Sequence, residues 1–86
     1  MSLNLKIVSP RRVEFQGEVE NVFVPGVMGQ FEILTGHAAI ISLLTKGDVI
    51  YTDADGRHSI GVAGGFVEVK KNQVSLCVEL KEEVSE

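Results

Sequence analysis

One cysteine, Cys77, stands in 86 residues, which excludes an internal disulfide. Met1 runs directly into strand-like sequence with no apolar signal segment, and the two observations together read as a reducing compartment. Long apolar runs are also missing. The longest, Ala38 to Leu44, is interrupted by Ser42 and falls far short of the ~20 residues of a membrane-spanning helix. There is no basic stripe: the adjacent Lys/Arg pairs are Arg11-Arg12 and Lys70-Lys71 alone, which leaves no electrostatic footprint for nucleic acid or anionic lipid. No stretch of a dozen residues sustains a 3.6-residue apolar period, so helix is scarce.

What is present is ordinary globular material. Hydrophobic residues make up 44% and charged residues 23%, a balance that folds rather than remaining disordered. A chain of this length holds one core and hence one domain. The 8 basic and 12 acidic residues give a formal net charge of −4. Glu79, Glu82, Glu83 and Glu86 against Lys81 place −3 of that in the last eight residues, so the body is nearly neutral.

Alternation then predicts strands. Leu3, Leu5 and Ile7 alternate with Asn4 and Lys6, and Pro10 ends the run. Val13 and Phe15 begin a short strand closed by Gly17, and Val19 to Val24 form another, ended by a tight turn at Pro25-Gly26. Phe31 and Ile33 alternate with Gln30 and Glu32 until Gly36. Ala38 to Leu44, with its Ile40-Ile41 pair, reads as a strand buried on both faces. Asp55-Gly56 between Tyr51 and Ile60 is a hairpin signal, both turn positions tolerating positive φ. His58 to Ala63 and Phe66 to Val69 follow as two strands separated by a bend or bulge at Gly64-Gly65. After a turn at Lys71-Asn72, Val74, Leu76, Val78 and Leu80 face one way and Ser75, Cys77 and Glu79 the other. With no helix to supply a parallel crossover, the expected fold is all-β. It is an antiparallel β-sandwich or flattened barrel over residues 1–80, followed by a charged tail at 81–86.

The residues offer little chemistry. His37 and His58 stand 21 positions apart and no zinc spacing exists; His37 reads as a turn histidine bonded to backbone and His58 as solvated. Asp53-Ala54-Asp55-Gly56 resembles the middle of a calcium loop, but the register would make Tyr51 the first ligand and Val62 the closing carboxylate, and neither can serve. Gly26 to Gly29 and Gly61 to Gly65 lead into no helix and lack the Lys-Ser/Thr of a phosphate loop. Cys77 lies mid-strand, and Glu18 and Glu20 share a solvated strand face. Neither a catalytic site, a metal site nor a cofactor site is assigned, and a binding or structural module is favoured over an enzyme.

One positive feature remains. Each sheet of a small sandwich should present a polar outer face, yet Val22-Phe23-Val24 and Ala38 to Leu44 are apolar at every position but Ser42. Neighbouring loops or a permanent partner subunit would cover them.

The order of features then becomes recognisable. Val8-Ser9-Pro10, Val13 to Val19 and Val24-Pro25-Gly26 are followed by Gly29-Gln30-Phe31-Glu32-Ile33-Leu34-Thr35-Gly36-His37-Ala38 and later by Ala63-Gly64-Gly65-Phe66-Val67-Glu68-Val69. This resembles the N-terminal domain of the epsilon subunit of bacterial F-type ATP synthase, whose members read G-x-x-G-I-L-P-G-H-A-P-L and S-G-G-F-x-E-V in these stretches. The resemblance implies a sandwich of about ten short strands. It also implies a non-catalytic subunit of the central rotor stalk, bound to the gamma subunit, resting on the ring of c subunits, and helping couple proton flow to ATP synthesis. The complex would hold it peripherally at the cytoplasmic face of the inner membrane, with only indirect contact to the catalytic head. By the same resemblance, Met28, Gly29 and Gln30 would contact the c ring, and His37, Ile40, Ile41 and Ser42 the gamma subunit. Glu32, Thr35 and Ala39 depart from the family's glycine and two prolines, which should loosen the loop and disfavour positive φ at position 32. Family members commonly continue into a C-terminal helical hairpin associated with inhibition and, in some, with ATP binding; were the protein to end naturally at Glu86, coupling would be the role carried over, and ATP binding is not assigned. The alternative from another class is a stand-alone β-sandwich that binds a small ligand or peptide through its glycine-rich loops.

Overall fold

Period-two alternation of aliphatic residues needs two faces, and the described residues supply them with eight strands. The computed structural model describes residues 2–81. In order the strands are β1 (Leu3–Val8), β2 (Val13–Val19), β3 (Asn21–Gly26), β4 (Gly29–Ile33), β5 (Ile40–Leu44), β6 (Gly47–Asp53), β7 (Gly56–Lys70) and β8 (Gln73–Leu80). Hydrogen bonding runs β2-β1-β8-β7-β5-β3-β4, with β6 joined to β3 and β7. The result is a sandwich. One layer is β2-β1-β8-β7-β5; in the other, β6 lies between β3 and the first half of β7, and β4 flanks β3.

The inward positions are the alternating aliphatics. Leu3, Leu5 and Ile7 of β1, Val74, Leu76 and Val78 of β8, and Val67 and Val69 of β7 are buried, and they meet Val22, Val24, Ile33 and Val49 of the other layer. Among the described residues no polar or charged side chain is buried. The side chains of the core meet through apolar burial and van der Waals packing.

β7 belongs to both layers. One of its edges pairs with β8 from Val62 to Lys70, while the other pairs first with β6, from Gly56 to Val62, and then with β5, from Gly65 to Val69. The change of partner falls at Gly64 and Gly65, where the register to β8 slips by one residue. Gly65 has φ 140°, and a Cβ there would press on the Cys77 carbonyl and stand 2.8 Å from Val78 Cα. Only glycine lets the bend close onto β8. The two strands expected on either side of Gly64-Gly65 are therefore one, and the described residues hold eight strands where the family resemblance implied about ten.

Three further local expectations shift. Val19 to Val24 is broken at Glu20, so β2 ends at Val19 and β3 begins at Asn21. Pro25-Gly26 lies inside β3, not at its turn: Pro25 has no N–H to give, but its carbonyl accepts the Thr45 N–H at 2.8 Å, so the missing donor faces the corner rather than the β3–β4 ladder. The turn comes two residues later at Val27-Met28, with positive φ on Gly29 (127°). The β6–β7 hairpin repeats this design, with Ala54-Asp55 at the turn and positive φ on Gly56 (122°) rather than on Asp55. By contrast Lys71 and Asn72, both at positive φ, make the two-residue β7–β8 turn where it was expected.

Pairing is not wholly antiparallel, because β1 runs parallel to β8. These strands come from the two ends of the domain, and the whole intervening chain makes their connection, so no crossover helix is required.

Gly65→Ala is expected to lower stability by about 3 kcal/mol, adding backbone strain to a contact that β8 cannot relieve. Gly29→Ala, which has the same kind of φ but nothing within 4 Å of the new methyl group, is expected to cost only about 1 kcal/mol. Urea unfolding midpoints compare the two, and equal losses would mean that the close approach to β8 carries no weight.

Candidate functional site

Alternation along β5 decides what the molecule shows to its surroundings. Leu44 is buried, Ile40 packs against the core and Ser42 is half-buried, whereas Ile41 (73% exposed) and Leu43 (64%) point out. Ala38 to Leu44 is therefore not buried on both faces: the strand starts only at Ile40, and its outward half is bare. Ile40 holds the strand to the core, while Leu43, which motif matching passed over, joins Ile41 on the surface. The signal was available, since residues two apart share a face.

Register extends this surface across the layer. Leu43 lies opposite Phe66, Phe66 opposite Cys77, Cys77 beside Val8, and Val8 opposite Val13. One outward residue from each of five neighbouring strands thus forms an apolar row, in which Leu43, Phe66 and Val13 are exposed and Cys77 and Val8 half-buried. The adjacent row on the same face reads Ile41, Glu68, Ser75, Lys6 and Gln16, which is polar except at β5. The apolar surface is widest there.

The β3–β4 turn continues it. The Val27 N–H donates to the Leu43 carbonyl at 3.1 Å, placing this turn against β5. Met28 is 96% exposed, and Gly29 and Gln30 are exposed beside it. Met28, Gly29 and Gln30, expected at the c ring, therefore form one projecting tip adjoining the face that holds Ile41.

His37 sits in the loop from β4 to β5. Its N–H donates to the Leu34 carbonyl at 3.0 Å, and its Nδ1 lies 2.8 Å from the Ala38 carbonyl, a contact that requires the proton on Nδ1. Its ring centroid is 6.3 Å from that of Phe31. It is the backbone-bonded turn histidine expected. Gly36, at φ 87°, donates its N–H to Asn72 Oδ1 at 2.8 Å, tying this loop to the β7–β8 turn. Glu32 lies within β4 with no positive φ and accepts a hydrogen bond from Asn21 Nδ2 at 2.8 Å, so the departure from glycine is absorbed without strain.

A separate polar cluster lies on the β6–β7 hairpin. His58 Nε2 is 2.9 Å from Asp53 Oδ1, an oxygen that also accepts the Asp55 N–H at 2.9 Å. The His58 ring stacks on Tyr51 at 5.2 Å, and Tyr51 reaches across to Phe15 of β2 at 4.5 Å. His58 is thus bonded and stacked while its side chain stays 40% exposed to solvent. Its hydrogen bond, helped by the Asp55 and Gly56 N–H groups and by imidazole charge, outweighs burial and holds the Asp53 carboxyl below its usual range. Burial, followed by the Asp53 charge, pushes the Tyr51 phenol up. Among the described residues no three His, Cys, Asp or Glu side chains gather as metal ligands. The surface depressions are open clefts, one of about 560 Å³ between Ser9–Arg12 and Glu79–Lys81.

The apolar surface of the sandwich thus lies on one layer and at one adjoining tip. Comparison with known proteins gives the family: the model described as "ATP synthase, Delta/Epsilon chain, beta-sandwich domain" matches residues 2–84, and the chain belongs to that family. It is 38% identical over 85 residues to the ATP synthase epsilon chain of Leptospira borgpetersenii, covering 95% of this chain and 67% of that one. To the cyanelle epsilon chain of Cyanophora paradoxa it is 38% identical, covering all of this chain and 65% of the relative. The epsilon chain of Chlorobaculum tepidum is 39% identical and is covered over 90% of its length. The chain therefore spans about two thirds of the first two relatives and nearly all of the third. In fold it is similar to a chain of the Euglena gracilis mitochondrial ATP synthase structure containing OSCP, F1 and the c-ring (TM-score 0.83, 19% identity, 90% of this chain and 50% of that one). A chain of the Tetrahymena thermophila central stalk and c-ring structure gives TM-score 0.77 at 13% identity, over 92% of this chain and 64% of that one. These relatives are subunits of an enzyme complex, and the chain is of that subunit type, not a free-standing enzyme. Among the described residues no helix is long and apolar enough to cross a membrane.

A depressed carboxyl pKa contributes stability above the unfolded value, about 3.9, that is lost as pH falls through the lower folded value. Acid unfolding of the parent chain should therefore steepen below about pH 4. Asp53→Asn is expected to flatten that limb. Chemical denaturation at a series of pH values measures it, and an unchanged limb would assign acid sensitivity to other carboxylates.

Proposed function

We propose that this chain is a non-catalytic rotor subunit in the central stalk of a proton-translocating F-type ATP synthase. It binds the gamma subunit through the β5 face and the c-subunit ring through the Val27–Gln30 turn, and so helps couple proton flow to ATP synthesis. As part of that complex it lies peripherally at the cytoplasmic face of the inner membrane. The observation that carries the reading is the exposed aliphatic pair Ile41 and Leu43, continuous with Phe66 on one side and Val27 on the other. A permanent partner stabilises itself by covering such residues, each fully buried aliphatic side chain being worth about 1.5–3 kcal/mol.

The geometry also suits a mechanical role. β7 links both layers, and a close-packed aliphatic core resists shear between them. A torque applied at the β5 face would pass to the Met28 tip through the backbone contact of Val27 with Leu43, a short path through ladder hydrogen bonds. Of the residues expected at gamma, Ile41 makes the contact; Ile40 and Ser42 position the strand, and His37 fixes the loop that enters it.

Ile41→Asp is expected to leave the chain folded and weaken its complex with the gamma subunit by about 2–4 kcal/mol, since a carboxylate in an apolar joint is costly. Ile40→Asp should instead destabilise the chain itself by several kcal/mol, roughly 2–5, because its side chain packs on the core. Co-purification with the gamma subunit of the same organism, followed by size-exclusion chromatography and urea unfolding, separates the two. A folded Ile41→Asp chain that binds gamma as tightly as the parent would remove β5 from the interface. A folded parent chain that forms no complex with gamma would refute the reading itself.

A further inference from the structure

The edge of β5 away from β7 is open. Along one side Ile40 to Leu44 pair with Val69 to Gly65 of β7. On the other side β5 meets β3 only where Leu44 lies opposite Gly26, through the Val27 N–H to the Leu43 carbonyl at 3.1 Å and the Thr45 N–H to the Pro25 carbonyl at 2.8 Å. Backbone polar groups of successive strand residues point to alternate edges. Since the Leu43 carbonyl faces away from β7, so do the Leu43 N–H and both the N–H and the C=O of Ile41. None of those three groups has a partner among the described residues.

We propose that this edge accepts an extended segment of the gamma subunit as an added strand, beginning where β3 turns away at Val27-Met28. The inference rests on the reading that the chain binds gamma, and specifies how. Three observations favour backbone pairing over side-on contact alone. Unpaired N–H and C=O groups in a row are satisfied directionally by another strand. The outer edge strands of the molecule carry the usual protection, β2 with Glu14, Glu18 and a register break opposite β1, and β4 with Glu32, whereas β5 contains no charged residue, no proline and no bulge. Finally, Ile41 and Leu43 stand exposed along this edge as an apolar ledge, so the incoming strand needs apolar residues at alternate positions on that face. A strand with this pattern would bury the ledge and complete the ladder together.

Backbone amide hydrogen exchange of this chain, alone and in complex with the gamma subunit, tests the proposal. The Ile41 and Leu43 amides are expected to slow roughly tenfold or more on complex formation, while the Ser42 amide, directed at β7 in both states, changes little. A paired variant test uses the same geometry. Ile41→Ala keeps the outward N–H and Ile41→Pro removes it without touching the β7 ladder, so Ile41→Pro should bind gamma roughly tenfold more weakly than Ile41→Ala. If the complex forms but both amides exchange as in the free chain, or the two variants bind alike, strand addition is wrong and gamma binding stands. If no complex forms, both readings fail. Protection of the two amides in the chain alone, growing with its concentration, would assign the edge to a second copy and overturn the proposal.

Discussion

The structure depends on one bent strand. β7 runs fifteen residues from the β6 hairpin in one layer to the β5 pairing in the other, while holding β8 along one edge. That continuity is possible because Gly64 and Gly65 take a positive-φ bulge and bring the backbone against Cys77 and Val78. Without the bend, β6 and β5 would follow one another along the same edge of a single sheet, and the aliphatic faces of the two layers would not oppose each other. Among the described residues the apolar core buries no polar side chain that could fix its register by hydrogen bonding, so backbone pairing must do so.

That constraint explains what the sequence made legible. The strongest alternations, Leu3-Leu5-Ile7 and Val74-Leu76-Val78, lie in the strands at the middle of the larger layer, where burial on one face is strict and side-chain period reports it directly. The Gly64-Gly65 pair likewise signals the bulge at which β7 changes partner. Turns were legible in kind but displaced: Pro25-Gly26 and Asp55-Gly56 signal hairpins, yet in both the positive φ falls on a glycine one step beyond the two turn residues. A glycine after a turn and a glycine within it leave the same short signature in sequence.

Other features lie beyond local pattern. The parallel pairing of β1 with β8 is a relation between chain ends, and the union of two expected strands into β7 depends on β8 accepting a bulge. The site divides in the same way. The family resemblance singled out Met28, Gly29 and Gln30, which lie together on an exposed tip, but grouped Ile40 with Ile41, which strand alternation separates into an inward anchor and an outward, exposed side chain. The partners of His58 were not legible because they lie across the hairpin, the Asp53 carboxylate at its ring nitrogen and Tyr51 on its ring face.

The apolar row from Leu43 to Val13 is difficult to reconcile with a domain that works alone. A sheet with one buried face should alternate to polar residues outside, and the neighbouring row of Glu68, Ser75, Lys6 and Gln16 does so. Replacing Leu43 and Phe66 by polar residues would leave the core untouched, because both side chains point out of it. Core stability therefore gives no reason for their apolar character, and exposure in water penalises it. The exception is confined to one row, widens at β5 and reaches the β3–β4 tip through the Val27–Leu43 hydrogen bond. A partner strand added at the β5 edge would cover Ile41 and Leu43, where the apolar surface is widest, while the seam that runs on across the sheet through Phe66 to Val13 would be met by side chains of that partner reaching over the face.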